Sequence, residues 1–359
     1  MSLEKRIKIQ TEASKAIIDN KFRGIVDVAF RVGKTRLTID ALNTVKSEIN
    51  VLILAPYLSI LDSWKAEIEK WGLKDTITVT FLWSNSLKKN NEVYHLIIAD
   101  ECHAYNKSVL LQLRRHQLNG TRILGLTGTL DQVAEWNLNN ILSIKSIYNY
   151  SFDQAVADGI IADYSVTCIG VDLDNKVPCY TIFKNQPQVT EKEAYEYWDK
   201  LYKKAAKEMK YDKLRFYMMK RKDIIYTSYT KFEKTREIVA QQKRCLIFSA
   251  RQDIANLLGD SQFHSKSKKT LEKFQEGKTN KLSVISMVSM GITISNLKVA
   301  IFNQMKSIEA LALQQAARIL NLEDGVNATI IVIYLKETQD FEWVKDATKG
   351  FNKTKIEWI

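Results

Sequence analysis

Val28-Ala29-Phe30-Arg31-Val32-Gly33-Lys34-Thr35-Arg36 follows an apolar stretch that begins at Gly24, and it opens a helix-like run from Leu37 to Val45. Strand, glycine turn and helix in that order make a phosphate-binding loop, in which backbone N–H groups and a helix N-terminus face the phosphates. In that setting Lys34 reaches the β- and γ-phosphates and the Thr35 hydroxyl sits on Mg2+. Further along, Leu96-Ile97-Ile98-Ala99-Asp100-Glu101-Cys102-His103-Ala104 reads as a buried parallel strand that ends on two carboxylates. Such a strand end is where open α/β sheets bind ligands. Asp100 can hold Mg2+ through water, and Glu101 can orient an attacking water. The two segments complete each other, and together they point to a nucleotide-hydrolysing α/β fold.

The rest of the first half repeats the strand-and-helix alternation of a doubly wound parallel sheet. Strands are predicted at Gly24–Phe30, Val51–Ala55, Thr76–Leu82, Leu96–Ala99 and Arg122–Leu126, with helices at Arg36–Glu48, Ser59–Trp71 and Ser108–Arg115. Tyr164 to Val171 reads as the strand that leaves this part. Residues 186–240 form a basic, strongly helical insert. Alternation then resumes: strand Cys245–Ser249, helix Gln252–Leu258, a basic stretch with helix to Phe274, and strand Lys281–Ser286. Strands Val299–Phe302 and Thr329–Tyr334 follow, with a helix at Ile308–Leu320 between them. Two domains are therefore expected, 1–163 and 164–359, as tandem parallel-sheet lobes. Only the first has a phosphate loop, which suggests ATP clamped in the cleft between them.

Composition narrows the partners. The 359 residues carry a net charge of +12, with 26% charged and 45% hydrophobic residues, as in an ordinary globular protein with a polyanionic partner. Lys and Arg concentrate at Lys200 to Lys222 and at Lys266 to Lys281. With an ATP site in the same chain, that partner is read as nucleic acid. There is no stretch of eighteen apolar residues and no signal-peptide core at the N-terminus, so a cytoplasmic protein without membrane contact is expected. Cys102, Cys168, Cys179 and Cys245 lack metal or redox spacing and read as reduced, mostly buried thiols.

Read with these segments, the chain resembles the superfamily 2 helicases and translocases over nearly its whole length. Gln10 precedes the phosphate loop at the distance of that family's adenine-reading glutamine. Ala55-Pro56-Tyr57 with Trp64 resembles motif Ia, Asp100-Glu101-Cys102-His103 the DExH box, and Thr127-Gly128-Thr129 motif III. Tyr150-Ser151-Phe152 through Asp158-Gly159-Ile160 resembles the passage that commonly follows the first lobe. Leu246-Ile247-Phe248-Ser249 resembles motif IV, Ser289 to Leu297 motif V, and Gln314 to Arg318 motif VI. Gly-Ile-Thr-Ile-Ser-Asn-Leu in motif V is similar to phage helicases that branch-migrate and remodel DNA forks.

The resemblance implies RecA-like lobes, ATP and Mg2+, and a set of site residues. Lys34, Glu101, Gln314 and Arg318 would be catalytic. Gln10, Arg31, Gly33, Thr35, Arg36, Asp100, Gly291 and Thr293 would hold the nucleotide, with Thr35 and Asp100 at the metal. His103 and Thr129 would couple the ATP site to motif III. Tyr57, Ser59, Trp83, Ser84, Thr127, Arg251, Lys266 and Ser286 would meet nucleic acid. Three departures stand out: Val28 and Arg31-Val32 alter the loop, Thr293 replaces a usual Asp, and Asn321 replaces motif VI's second arginine.

The function so implied is an ATP-dependent translocase or helicase, acting as a monomer on single-stranded, forked or branched DNA, in a host's cytoplasm if phage-encoded. Asn321 keeps open an ATP-gated DNA clamp with weak hydrolysis. RNA stays open as a substrate because the core motifs do not separate it from DNA. The aromatic residues of the insert, Tyr195, Tyr197, Trp198, Tyr202, Phe216 and Tyr217, invite a second binding site, although aromatics at helical spacing usually form core.

Overall fold

The structure, a computed structural model, describes residues 2–263, 269–285, 297–304 and 327–359. The predicted helix at Ile308–Leu320 lies outside them. The chain divides into two compact units between Asp163 and Tyr164.

The first unit runs α1 (Ser2–Asp19), β1 (Gly24–Val28), α2 (Lys34–Leu42), β2 (Ile49–Ala55), α3 (Leu58–Trp71) and β3 (Ile77–Trp83). It continues with β4 (Leu96–Asp100), α4 (Lys107–Leu118), β5 (Arg122–Thr127), α5 (Gln132–Leu142), β6 (Ser146–Tyr150) and α6 (Phe152–Ala157). The strands form one parallel sheet in the order β3-β2-β4-β5-β1-β6. Central strands such as β2 and β4 are apolar on both faces because helices cover both. Under one face Leu52, Leu54, Ile97 and Ile123 pack with Leu110, Leu113, Leu138 and Leu142. Helix starts are set locally. Asn106 accepts from Val109 N at 3.1 Å, Asp131 accepts from Ala134 N at 2.7 Å, and Ser151 forms a capping box with Gln154.

The second unit opens with β7 (Tyr164–Val171), followed by α7 (Glu191–Lys207), α8 (Tyr211–Thr227), α9 (Tyr229–Gln241), β8 (Cys245–Phe248) and α10 (Gln252–Leu258). Then come β9 (Ser261–Phe263), α11 (Lys269–Gln275), β10 (Lys281–Val284), β11 (Val299–Phe302), β12 (Ala328–Leu335), a helix at Gln339–Ala347 and β13 (Ile356–Trp358). Its strands are parallel in the order β13-β7-β12-β11-β8-β10-β9.

Within the helical insert, α9 differs from its neighbours. Its Ile238 and Val239 pack on Cys245, Ile247, Ile301 and Ile333, so α9 is part of the cover of this sheet. The helices α7 and α8 pack on each other around Tyr195, Trp198, Ile224 and Ile225, and against the ends of β7 and β12 through Val171 and Leu335. A buried carboxylate ties the two ends of this region together. Glu191 accepts from Tyr229 N at 2.6 Å, from Asp174 N at 3.0 Å and from Thr230 Oγ1 at 3.1 Å. Three donors satisfy a charge that would otherwise be expensive to bury.

All four cysteines are free thiols; Cys102, Cys168 and Cys245 are buried and Cys179 is exposed. Among the described residues no helix is long and apolar enough to cross a membrane.

Candidate active site

Strand order creates the site. Because β5 lies between β4 and β1, the residues that leave these three strands converge at one end of the sheet. The phosphate loop turns at Gly33, whose φ of 101° is one that other residues rarely adopt. Gln10 Nε2 donates to Val32 O at 2.6 Å and lies 2.6 Å from where a Cβ on Gly33 would be. Gln10 thus grips the loop's backbone, and the glycine makes room for it. Lys34 begins α2, with Thr35 beside it in the first turn. Lys34 Nζ sits 3.5 Å from Glu101 Oε1 and 5.3 Å from the Phe30 ring. A Cβ on Gly128 would lie 3.0 Å from Lys34 Nζ and 3.1 Å from Val28 O, so the middle glycine of Thr127-Gly128-Thr129 lets β5's end close over the lysine.

The two carboxylates at the end of β4 have different surroundings. Asp100 is buried; its Oδ2 accepts from Trp64 Nε1 at 2.8 Å and its Oδ1 from Glu101 N at 2.8 Å. Glu101 has a left-handed backbone, φ 47°, which turns the chain sharply and brings its side chain towards Lys34. Its Oε2 is buried without a hydrogen bond and lies 3.5 Å from His103 Nδ1. His103 Nδ1 is hydrogen-bonded to Thr127 Oγ1 at 2.8 Å, and Thr127 Oγ1 also accepts from Thr129 N at 3.1 Å. The result is a continuous path, Lys34–Glu101–His103–Thr127.

Burial governs the ionisation of these groups. It raises the Asp100 carboxyl, helped by the Glu101 charge beside it. It holds His103 below its ordinary value, so the ring is neutral at pH 7. Asp27, one residue before the end of β1, is pushed up to about 6 by burial and by Glu135, against the pull of Lys34. Asn149 Nδ2 donates to it at 2.9 Å. Asp27 did not stand out in the sequence; its only signal is a carboxylate inside the apolar run Ile25-Val26-Asp27-Val28.

The donor set fits a magnesium nucleotide: hard oxygens on Thr35 and Asp100, a lysine at a helix N-terminus, and an unbonded buried oxygen on Glu101. Other expected residues fall elsewhere. Arg36 pairs with Asp40 at 2.9 Å and stacks on Trp71 at 4.0 Å, so it is committed away from the loop. Arg31 is in the loop with a left-handed φ of 66°. Thr129 Oγ1 is buried without a hydrogen bond.

The residues assigned to nucleic acid divide. Tyr57 and Trp83, at the ends of β2 and β3, are 41% and 40% exposed, and Trp83 Nε1 donates to Pro56 O at 2.9 Å. Thr127 requires correction: it is buried and its hydroxyl serves His103 and Thr129, so it belongs to the coupling path and not to a nucleic-acid surface. Ser84 is buried too, and the Ser59 hydroxyl is buried without a hydrogen bond. In the second unit Arg251 is held by Asp253 at 2.8 Å and Asp223 at 2.9 Å. Lys266, Ser286, Gly291, Thr293, Gln314, Arg318 and Asn321 lie outside the described residues.

Residues 4–132 match the family model of the type III restriction enzyme res subunit. Solved structures share the two-lobed architecture. Saccharomyces cerevisiae Dbp5 bound to RNA and ADP BeF3 aligns at TM-score 0.62 and 12% identity, over 98% of this chain and 89% of its own. The Pyrococcus furiosus Hef helicase domain aligns at 0.53 and 14%, over 96% and 97%. The type ISP restriction-modification enzyme LlaBIII bound to DNA aligns at 0.64 and 12%, over 98% of this chain and 31% of that one. The fold is that of the RecA-like helicases. No curated protein matches the chain in sequence. In this fold the ends of β1, β4 and β5 are where Lys34, Glu101, His103 and Thr127 meet.

Proposed function

We propose that the protein is a nucleic-acid-stimulated ATPase of the helicase type, acting on DNA at forks or branched intermediates. The observation that carries this reading is the Lys34–Glu101–His103–Thr127 path, which joins a phosphate-binding lysine to the end of β5. The DNA preference comes from the likeness of the segment Ser289 to Leu297 to motif V of phage fork-remodelling helicases. The DNA-bound LlaBIII supports it in kind, and the RNA-bound Dbp5 keeps an RNA arm in the test.

In this reading the backbone of Gly33 to Thr35 and the N-terminus of α2 bind the phosphates, and Lys34 neutralises charge on the γ-phosphoryl oxygens. Gln10 holds the loop in shape through Val32 O. Glu101 accepts a hydrogen bond from the attacking water and aligns it, while its buried Oε2 faces His103. Trp64 and the Glu101 N–H fix the Asp100 carboxylate. Magnesium, held by Thr35 and Asp100, would supply further charge neutralisation on the phosphates. Neutral His103 passes the state of Glu101 to Thr127, and so to Gly128 and Thr129.

The test is ATP turnover with Mg2+, alone and with single-stranded, duplex, forked and four-way DNA and with RNA. Stimulation by DNA, greatest for branched forms, and its loss in Glu101→Gln are expected. Tight ATP-dependent DNA binding with negligible turnover, relieved by Asn321→Arg, would favour the ATP-gated clamp. Stimulation by RNA alone would replace DNA as the substrate.

A further inference from the structure

Between Lys200 and Lys222 the chain has ten Lys and Arg against two acidic residues, a local net charge of +8 within a total of +12. This segment covers the end of α7 and most of α8. The helix α7 has a conventional inner face of Ala194, Tyr195, Trp198 and Ala205. The inner positions of α8 are Leu214, Tyr217, Arg221, Ile224 and Ile225, with Arg221 held by Asp199 at 2.5 Å and stacked on Tyr202 at 4.0 Å. Phe216 sits at the rim of this packing, edge-on to Trp198 with ring centroids 5.9 Å apart, and the rest of its ring is exposed.

The outer face of α8 is unlike a solvated helix surface. It exposes Tyr211 at 73%, Phe216 at 50% and Met219 at 59%, interleaved with Lys213, Arg215 and Lys220. Lys220 Nζ lies 5.6 Å from the Phe216 ring. Lys213 and Arg215 form no salt bridge among the described residues, and the acidic influence on Lys213 is Glu208, whose carboxyl it helps to lower. The aromatics singled out in the sequence thus separate: Tyr195 and Trp198 are core, Tyr197 and Tyr217 pack on that core, and Phe216 meets it edge-on while leaving half of its surface exposed.

We propose that the outer face of α8 is a second nucleic-acid contact, which holds one unpaired strand of the substrate. Lysines and Arg215 take the phosphates, and Phe216 and Tyr211 offer π-faces on which bases stack regardless of sequence. Charge decides the occupant: a surface this basic has its complement in a phosphate backbone. Exposed aromatic rings add little on a duplex, whose bases are already stacked, so the strand is single. The inference rests on the proposed nucleic-acid function for the identity of the polyanion, and it adds a site outside the ATP-binding unit.

The experiment uses the full chain, a Lys213→Gln/Arg215→Gln/Lys220→Gln variant, and Phe216→Ala. Circular dichroism and Tm establish that each folds. Kd is measured across a salt series for a labelled mixed-sequence single-stranded DNA, the matching RNA and a duplex, alongside ATP turnover without nucleic acid. The triple variant should bind single strands at least tenfold more weakly, with a log Kd versus log salt slope shallower by about 2, near 0.7 per lost phosphate contact. Phe216→Ala should weaken single-strand binding about fivefold or more while leaving the duplex unchanged, and basal turnover should hold in both. Wild-type affinity and slope in both variants overturn the proposal even while DNA-stimulated turnover stands. A wild type that binds no nucleic acid and is not stimulated by it overturns both readings. Binding to phosphatidylserine vesicles that the triple substitution abolishes, with DNA binding intact, assigns the face to a membrane surface and also overturns the proposal.

Discussion

Lys34 Nζ and Glu101 Oε1 lie 3.5 Å apart, both largely shielded from solvent, so the cation expected on phosphate and the carboxylate expected on water face each other across the ends of β1 and β4. An arriving γ-phosphate competes with Glu101 for Lys34 and is repelled by the same carboxylate. Glu101→Gln keeps the shape and removes the charge. ATP should then bind at least as tightly as in wild type, while turnover falls roughly 10²–10⁴-fold, the usual worth of a base in place. Lys34→Ala should weaken ATP binding instead. Equilibrium binding and single-turnover hydrolysis separate the two; weaker ATP binding by Glu101→Gln would show that the glutamate positions the loop.

The His103–Thr127 bond gives a second test. Both groups are buried, and each loses a partner if the other is removed. Thr127→Val should cost about 1–3 kcal/mol in urea denaturation, and Thr127→Ser much less. In a double-mutant cycle with His103→Ala the effects should fall short of additivity by more than about 0.5 kcal/mol. DNA stimulation of turnover should drop in Thr127→Val while basal turnover persists. Additive stabilities with unchanged stimulation would break the coupling path.

Much of this site was legible in the sequence because its parts are local. Gly33-Lys34-Thr35 and Asp100-Glu101 are each contiguous, and the apolar strands before them announce where they point. The contacts between strands were not legible. Thr127 reads as a nucleic-acid contact until β5 is known to lie between β4 and β1, which turns its hydroxyl onto His103. Asp27 was hidden because one polar residue in an apolar strand suggests only a solvent-facing position. The major strands of both sheets were visible as apolar runs, whereas β6, with Ser146-Ile147-Tyr148-Asn149-Tyr150, and the three-residue β9 and β13 are short, mixed edge strands. In the insert, helical periodicity was plain, but which aromatics point inward depended on how α7 meets α8.

The second unit contains a buried ion pair whose removal should be asymmetric. Lys231 Nζ lies 2.5 Å from Asp340 Oδ2, which also accepts from Leu335 N at 3.0 Å, and both residues are buried. Asp340→Ala leaves an ammonium group without its partner and should cost about 3–5 kcal/mol. Replacing both, as Lys231→Met/Asp340→Leu, should recover most of that, because two desolvated charges vanish together. Chemical denaturation of the single and double variants measures this. A double variant as unstable as Asp340→Ala would mean that the Leu335 N–H depends on the carboxylate for its only good acceptor.

The last expectation is a pH dependence centred on Asp27. Its carboxyl is raised from 3.8 to about 6, first by burial and next by Glu135, and the opposing pull of Lys34 is already within that balance. Folding therefore favours the protonated acid. Its stabilising contribution is complete below about pH 3.8 and is lost as pH rises through about 6. At pH 8 the ionised carboxylate is held in the fold at a cost on the order of 2–3 kcal/mol, since a tenfold change in proton affinity corresponds to about 1.4 kcal/mol. Asp27→Asn keeps an oxygen acceptor for the Leu130 N–H and Asn149 but cannot ionise. It should raise Tm at pH 8 and match wild type near pH 4. His103 works in the opposite sense: its depressed value stabilises the fold above about 6.5 and that contribution is lost as pH falls. Because both proteins carry His103, the difference between them isolates Asp27. A Tm difference that stays constant from pH 4 to 8, or an Asp27→Asn variant less stable at pH 8, would show that attraction to Lys34 outweighs burial at the end of β1.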